Sequence, residues 1–237
     1  MATLRELKGR IGSVASSEKI TGAMKMISSA KMHKAEQALR QLRPFRDQIE
    51  TIIANLLSSD AAFSSPLMSQ RDVRKIAVAV WGSDDGLCGA YNVNIFKQLL
   101  QQIAAYRERL GSDAIIEILP IGGKLAKAAL KLNLPNVTVK IPADVDSKSG
   151  DKAVRDFTWV LRDAFLNGEY DRVDMIYMSF KSVSRQRLEV AELLPVTYDA
   201  FAHSGGKATD RPYIFEPSPE AIFTRILPMY LLSVVQD

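Results

Sequence analysis

The hydrophobic positions of the first 57 residues follow a helical period. Thr3 and Glu6 form a capping box, in which each side chain accepts a hydrogen bond from the other residue's backbone N–H, so a helix is expected to begin there. Beyond Thr3 the apolar residues recur at spacings of three and four, shift to another face around Ile20, and resume near the end: Leu4, Leu7, Ile11, Val14, Ile20, Met24, Ile27, Ile49, Ile52 and Leu56. The pattern predicts a helix of roughly 80 Å, and a helix of that length needs partners.

A change of composition follows this helix. Residues 58–72 are rich in Ser, Asp and Pro and are predicted to form a linker. Beyond them, short apolar runs alternate with helical patterns, and a last helix is expected to begin with Ser218 as its N-cap and Pro219 at its first position. The predicted organisation is therefore a helix over 1–58, a linker over 59–72, an α/β domain over 73–212 and a terminal helix over 213–237.

Within the α/β domain, the order of the patterns predicts the fold. Strands are expected at 74–81, 114–123, 136–141, 171–182 and 185–195, and the last two are close enough to pair as a hairpin. Helices are expected before Gly111, after Gly123 and around Phe157. Alternating strands and helices are typical of a mainly parallel, Rossmann-like sheet with helices on both faces.

Charge is unevenly distributed along the chain. Residues 1–46 contain ten Lys or Arg and three Glu, a balance of +7, whereas the remaining 21 basic and 24 acidic residues give −3. A basic helix is compatible with nucleic acid, with an anionic membrane surface or simply with a solvated helix face. The sequence shows no apolar run of about 18 residues and no signal or transit peptide pattern at its start, so we expect a cytoplasmic bacterial protein.

Few residues could carry chemistry. Cys88 is the single cysteine and the chain has two histidines, His33 and His203, so an internal disulfide is excluded and a metal site is poorly supplied. Without a base placed near it by any local motif, Cys88 is expected to be a small buried thiol and not a nucleophile. No cofactor is predicted.

The turn "GSDDGLCGAYN", from Gly82 to Asn92, lies where Rossmann-like domains bind phosphate, between the first strand and its helix. It lacks the Gly-x-Gly-x-x-Gly pattern, and Asp84 and Asp85 would repel a pyrophosphate. The "IGGK" that ends at Lys124 is not a Walker loop, because Leu125 replaces the required Ser or Thr.

Five motifs in order, "ITGAMKMISSAKM", "SDDGLCGAYN", "AELLP", "YIFEPSP" and "ILPMYL", resemble the gamma subunit of F-type ATP synthases. The resemblance extends from Thr3 to Asp237. It implies an antiparallel coiled-coil shaft lodged in a ring of alpha and beta subunits, and an α/β domain that contacts epsilon and the c-ring. The implied function is a non-catalytic central-stalk rotor, peripheral at the cytoplasmic face of the bacterial membrane and associated with it only through the complex.

The resemblance also implies roles for individual residues. The coupling contacts with the alpha and beta sleeve would involve Lys19, Met24, Lys25, Met26, Lys31 and Lys34, although packing within the coiled coil is about as plausible for the two methionines. The foot facing the c-ring and epsilon would be Tyr213, Phe215 and Glu216. The signature turn of the domain would be Gly86, Leu87, Cys88 and Gly89, with a mainly structural role.

Two features depart from the family pattern. Asp85 replaces a usual Lys or Arg, which argues against a basic contact made from the turn. The residues after Pro219 supply a shorter final helix than the family has, so the paired shaft of this 237-residue chain is expected to be incomplete.

The residues leave two other functional classes of protein open. A basic coiled-coil module that binds nucleic acid would need aromatic or Arg-rich base contacts, and the basic helix has no aromatic residue before Phe45. A stand-alone phosphate- or nucleotide-dependent enzyme would need the missing glycine pattern. We therefore expect no nucleic acid partner.

Overall fold

The computed structural model describes residues 3–58, 63–146, 148–202 and 214–236. Its first element, α1, is a single helix of 54 residues from Leu4 to Leu57. The capping box is confirmed, because the N–H of Thr3 donates to Oε2 of Glu6 at 2.8 Å and the N–H of Glu6 donates to Oγ1 of Thr3 at 3.3 Å. The predicted long helix is therefore present, and its first turn has the expected partners.

The chain divides into two compact units after Phe45, and the second unit runs from Arg46 to Gln236. In the first unit, which is helical, nearly every described side chain is exposed. Local contacts support it, such as the ion pair between Arg40 and Glu36 at 2.8 Å, one helical turn apart. Ser17 and Thr21 donate their hydroxyls to backbone carbonyls one turn earlier.

The second unit contains a five-stranded sheet with the order β3-β2-β1-β4-β5. The strands are β1 Lys75–Trp81, β2 Ile115–Ile121, β3 Val137–Val139, β4 Arg172–Ser182 and β5 Arg185–Leu194. Neighbouring strands are parallel except for β4 and β5, which pair antiparallel as a hairpin. Both the mainly parallel sheet and the hairpin agree with the sequence prediction.

The other helices are α2 Tyr91–Leu110, α3 Gly123–Ala129, α4 Asp151–Leu166, α5 Tyr198–Ala202 and α6 Pro219–Gln236. Gly111 ends α2 with a φ of 88°, a conformation that glycine adopts without strain. The hydroxyl oxygen of Ser218 accepts from the N–H of Ala221 at 3.2 Å, which confirms the predicted start of α6. The short α5 and a 3₁₀ turn at Pro66–Met68 were not predicted.

Helices cover both faces of the sheet, as predicted. On one face, Val78 of β1 packs in a core with Leu99 of α2 and Leu125 of α3. On the other face, Ala79 belongs to a core built with α4, α6 and the last turns of α1, where Ile53 is fully buried. Ile49, Ile53 and Leu56, near the end of α1, are therefore core residues of the second unit.

The described part of the segment predicted as a linker, 63–72, also packs into this second core. Leu67 is 5% exposed and its carbonyl accepts from the N–H of Val196 at 2.8 Å. The rings of Phe63 and Phe223 are 5.0 Å apart between centroids. Residues 46–58 and 63–72 thus belong with the α/β unit in the division by contacts.

A polar network is buried between α2 and the sheet. Asp174 of β4 is fully buried, and its carboxylate accepts hydrogen bonds from the hydroxyl of Tyr106 and from Nε of Arg172, the latter at 2.9 Å to both oxygens. Arg172 also contacts Glu192 of β5 at 2.7 Å. Burial first, and then the charge of Asp174, raises the pKa of Tyr106 above its ordinary value. The buried carboxylate is therefore paired and hydrogen-bonded.

Candidate interaction surfaces

Glycines bring the carboxyl ends of β1 and β2 together beneath the signature turn. A Cβ atom on Gly82 would lie 2.4 Å from Cβ of Leu125, and one on Gly122 would lie 2.6 Å from the carbonyl oxygen of Gly82. The N–H of Gly82 donates to the carbonyl of Ile121 at 2.7 Å. Only glycine fits at these two positions, where the backbone after β1 contacts the backbone after β2. This close contact determines the backbone path at the base of the turn.

Asp84, in the turn after β1, accepts a hydrogen bond from the start of α3. Its Oδ1 accepts from the N–H of Gly123, the first residue of α3, at 2.7 Å. The next N–H, of Lys124, donates to the carbonyl of Ser83 at 3.1 Å. The first two N–H groups of α3 are therefore bonded to acceptors in the turn after β1, and these bonds tie the turn to α3.

The second acidic residue of the turn pairs with a lysine from elsewhere in the chain. Lys148 Nζ lies 3.1 Å from Oδ2 of Asp85, and both side chains are largely exposed. The hydrogen bond with Asp85 and the charge of that carboxylate raise the pKa of Lys148. An exposed pair of this kind contributes little to stability, but it places a positive charge beside the turn.

The signature turn itself is a surface feature. Leu87 adopts a φ of 62° and is 89% exposed, and Gly89 has a φ of 58°. Cys88 is exposed as well, so the prediction of a buried thiol was wrong. The reason is local: its sulfur lies 3.4 Å from Nδ2 of Asn92 and 3.5 Å from Oγ of Ser83, in a hydrogen-bonded turn and not in a core.

Sequence reasoning missed the residue that organises the turn. Asn92 accepts from the N–H of Ser83 at 2.9 Å through Oδ1 and donates to Oγ of Ser83 at 2.7 Å through Nδ2. The side chain of Asn92 thereby joins the beginning of the turn, at Ser83, to the start of α2. An Asn at the start of a helix, after a Gly-rich turn, was the available signal, because such side chains commonly bond to nearby backbone.

The six predicted sleeve residues are all exposed on the first unit, with Met24 at 44% and Met26 at 70%. They do not form one patch. At about 100° per residue, Met24, Lys31 and Lys34 fall within a sector of about 80°. Lys25 lies about 140° from the centre of that sector, and Lys19 and Met26 project between these two directions. The predicted contacts are thus distributed around the helix.

The predicted foot is described only in part, because Tyr213 lies outside the described residues. Phe215 is partly buried and packs against the core shared by α4 and α6, whereas Glu216 is exposed. Ile214, just before them, is 95% exposed. The described foot residues therefore comprise one partly buried side chain and one exposed side chain.

Within residues 3–58, 63–146, 148–202 and 214–236, no group of three or more His, Cys, Asp or Glu side chains could hold a metal ion. Among the helices of these ranges, none combines the length and the apolar character needed to span a membrane. The described surface features are the exposed side chains of a long helix and an exposed turn after β1 that Asp84 ties to α3.

Comparisons with solved structures identify the class of fold. The chain is similar in fold to a central-stalk chain of the Tetrahymena thermophila mitochondrial ATP synthase, with a TM-score of 0.56, 21% identity and coverage of 92% of this chain and 89% of that one. It is also similar to a chain of the Euglena gracilis mitochondrial ATP synthase rotor, with a TM-score of 0.55, 16% identity and coverage of 98% and 82%. The fold is that of ATP synthase stalk chains.

Sequence comparisons identify the family. The family model described as ATP synthase matches residues 3–236. The ATP synthase gamma chain of Bacteroides fragilis is 38% identical over 235 residues, which cover 98% of this chain and 79% of that relative. The gamma chain of Acinetobacter baylyi is 29% identical over 243 residues, with coverage of 99% and 80%. The chain belongs to the ATP synthase gamma-chain family.

Proposed function

We propose that this chain is the central-stalk rotor subunit of a bacterial F-type ATP synthase and couples proton-driven rotation of the c-ring to ATP synthesis on the beta subunits. The observation that carries the proposal is the family match over residues 3–236, together with the long, exposed and basic helix at the start of the chain. In this role the protein transmits force and conformational preference between partners.

The mechanism follows from unequal contacts. Proton flow turns the c-ring and the α/β unit bound to it, and the helix of the first unit presents a different face to each beta subunit in turn. A ligand or partner shifts a conformational equilibrium only by its differential affinity for the two states. A helix whose residues differ around its circumference therefore favours a different nucleotide affinity in each beta subunit.

The distribution of side chains around α1 supports this mechanism. Met24, Lys31 and Lys34 share one sector, and Lys25 projects almost opposite them. A helix that was alike on all sides would give every beta subunit the same contact and would transmit no bias. The exposure of these residues leaves them accessible to partners.

Catalysis is assigned to the beta subunits and not to this chain. The turn after β1 lacks the Gly-x-Gly-x-x-Gly pattern and carries Asp84 and Asp85, which argues against the alternative of a nucleotide-dependent enzyme. The basic helix has no aromatic residue before Phe45, which argues against the alternative of a nucleic-acid module.

We also propose which subunits each unit of the chain contacts and where the chain is located. The first unit contacts the alpha and beta subunits through Lys19, Met24, Lys25, Met26, Lys31 and Lys34. The α/β unit contacts epsilon and the c-ring through Tyr213, Phe215 and Glu216, and it is held at the cytoplasmic face of the membrane only through the complex. The turn from Gly86 to Gly89 is mainly structural.

The test is reconstitution with alpha and beta subunits of the same bacterium. We expect the three proteins to elute as one complex from a sizing column, with ATP hydrolysis well above that of alpha and beta without this chain. A matched sample would contain the chain with all six proposed sleeve residues changed to Ser. Elution of the unchanged chain apart from alpha and beta, under conditions in which those two assemble, would refute the proposal.

A further inference from the structure

An apolar groove of about 900 Å³ lies beside α4, on a surface that the proposed rotor contacts do not use. Its floor includes Leu119 of β2 and Phe157 and Leu161 of α4, which are buried. Its flanks include Ile141 and Val160, which are 53% and 60% exposed. Exposed aliphatic side chains that border a continuous apolar floor mark a surface suited to contact with another molecule.

The groove exists because β3 is short. Its three residues pair with Ile116–Ile118 of β2, so the last three residues of β2 have no strand beside them on that edge. The N–H of Ile116 donates to Asn136 and the carbonyl of Ile118 accepts from Lys140, so the backbone groups of even-numbered residues face this edge. Pro120 is the next in that series.

Pro120 determines what the edge can bind. Proline has no N–H, so it offers no donor at the position where an added strand would need one. An extended peptide that joined the sheet here would leave one of its carbonyls without a partner. Recognition in the groove therefore depends on side chains and not on strand addition.

The charged residues at the rim of the groove determine which charge a partner should carry. Four acidic residues and two lysines line the groove, a balance of −2: Asp144, Asp151, Asp156, Glu169, Lys140 and Lys152. In the part of the chain that the structure describes, none of the four carboxylates takes part in an ion pair. Carboxylates beside an apolar floor favour a partner that carries both aliphatic and basic side chains.

We propose that this groove docks a basic amphipathic helix of a partner polypeptide. The apolar face of the helix packs on the exposed Ile141 and Val160, above the buried Phe157 and Leu161 that form the floor. Its lysine or arginine side chains reach Asp156 and Glu169 at the rim. An anionic amphiphile is disfavoured because the rim is net negative.

The experiment titrates the full chain with a labelled 18-residue peptide of Leu and Lys in amphipathic order, and separately with the same design in Leu and Glu. Val160→Ser removes part of the apolar flank, and Asp156→Asn with Glu169→Gln removes two rim charges. Asp163→Asn is the matched control, since Asp163 is an exposed acid on α4 that does not line the groove. Melting curves of the variants verify that they are folded.

We expect Val160→Ser to weaken binding of the Leu–Lys peptide about tenfold. The double rim variant should weaken it about fivefold, and Asp163→Asn should leave it unchanged. Deuterium exchange should show peptide-induced protection of residues 151–164. These results would stand whether or not the chain assembles with alpha and beta, so they test the groove independently of the rotor proposal.

Three outcomes would overturn the inference. Equal affinity of the Leu–Lys peptide for all variants would show that the peptide binds outside the groove. Binding of the Leu–Glu peptide that Val160→Ser abolishes would mean that Lys140 and Lys152 recognise an anionic partner instead. Self-association in sedimentation that Val160→Ser abolishes would identify a second copy of this chain as the occupant.

Discussion

The carboxylate of Asp84 caps the N–H of Gly123 at 2.7 Å, across the gap between the ends of β1 and β2. This contact ties the turn after β1 to the start of α3. Its consequence is that the loop after β1 holds a carboxylate in a defined place, whereas the corresponding loop of a dinucleotide-binding fold is rich in glycine.

The first prediction is that the isolated chain does not bind ATP. Calorimetric titration with MgATP should give no heat beyond dilution, because Asp84 and the missing glycine pattern leave no anion site in the turn. A dissociation constant for ATP in the micromolar range would contradict this expectation and would support the enzyme alternative. Asp84→Ala serves as a check, since freeing the Gly123 N–H alone should not create ATP affinity.

The second prediction concerns the glycine crossing. Gly82→Ala should destabilise the fold by about 2 kcal/mol or more, because the new Cβ would lie 2.4 Å from Cβ of Leu125. Gly86→Ala is the control in the same turn: its Cβ would be 3.9 Å from the nearest atom, Cε of Lys124, and should change the unfolding free energy by less than about 1 kcal/mol. Urea denaturation measures both variants.

The third prediction concerns Tyr106 and alkaline pH. In the folded protein, burial and the charge of Asp174 raise the pKa of Tyr106 above the ordinary value of 10.0. The stability that its protonated hydroxyl contributes is therefore fully present below about pH 10. Stability should fall as the pH rises above 10, because the unfolded chain then releases the proton first. Tyr106→Phe should cost about 2 kcal/mol at neutral pH and should flatten the alkaline decline.

The control for this measurement is Tyr198→Phe, since Tyr198 is half exposed. Urea denaturation at pH 8 and at pH 11 gives the decline for each variant. Tyr106→Phe should reduce the decline without abolishing it, because burial also raises the pKa of Tyr170 and Tyr230. An alkaline decline as steep in Tyr106→Phe as in the unchanged protein would show that Tyr106 is not its source.

The fourth prediction separates coupling from folding. Reversing the charge of Lys19, Lys25 and Lys31 together should leave the melting temperature of the free chain nearly unchanged, because exposed charges contribute little to stability. In an assembled complex the same variant should lower the ATP made per proton translocated. A collapse of stability with coupling intact would contradict the assignment of these lysines.

A matched variant changes the same number of charges in the α/β unit, at Lys97, Lys127 and Lys131, which are exposed. It alters the net charge of the protein equally but leaves the first unit untouched. We expect it to preserve coupling, which would show that position and not total charge is responsible.

The fifth prediction concerns the first unit free in solution. Leu4, Leu7, Ile11 and Val14 are 51–77% exposed, and Gly9, Gly12 and Gly22 each weaken a helix by up to about 1 kcal/mol relative to Ala. We expect residues 4–35 of the 237-residue chain to fray or to self-associate, while the α/β unit stays folded.

Amide hydrogen exchange of the monomeric chain is the measurement. The amides of Ile49, Ile53 and Leu56, whose side chains are in the core, should be protected and provide the internal reference. Strong protection of Leu7–Ile27 in the same sample would show that the helix is stable by itself, and the argument that its sequence requires a partner would lose its physical basis.

Much of the fold could be predicted because burial imposes a period on the sequence. The run Ile76–Val80 is buried on both faces and contains apolar residues only, which is typical of a central parallel strand. Ser218 and Gly111 fixed helix ends through local hydrogen bonding and backbone geometry. Such signals are local, so a single sequence contains them.

The surroundings of individual side chains could not be predicted in the same way. The exposure of Cys88 depends on Ser83 and Asn92, which hold the turn away from the core. The packing of Leu67 depends on Val196, far away along the chain. A polar, Pro-containing segment resembles a linker until its tertiary contacts are known, since composition does not specify them.

The change of face along α1 has a mechanical consequence. Val14 ends one apolar stripe and Ile20 begins another, with the centres of the two stripes about 150° apart around the helix. Surfaces that pack on both stripes hold the helix from nearly opposite sides at two heights. A sideways movement away from one contact then presses the helix into the other. In the proposed rotor, surfaces that turn together with the helix and pack on both stripes would keep it straight and centred.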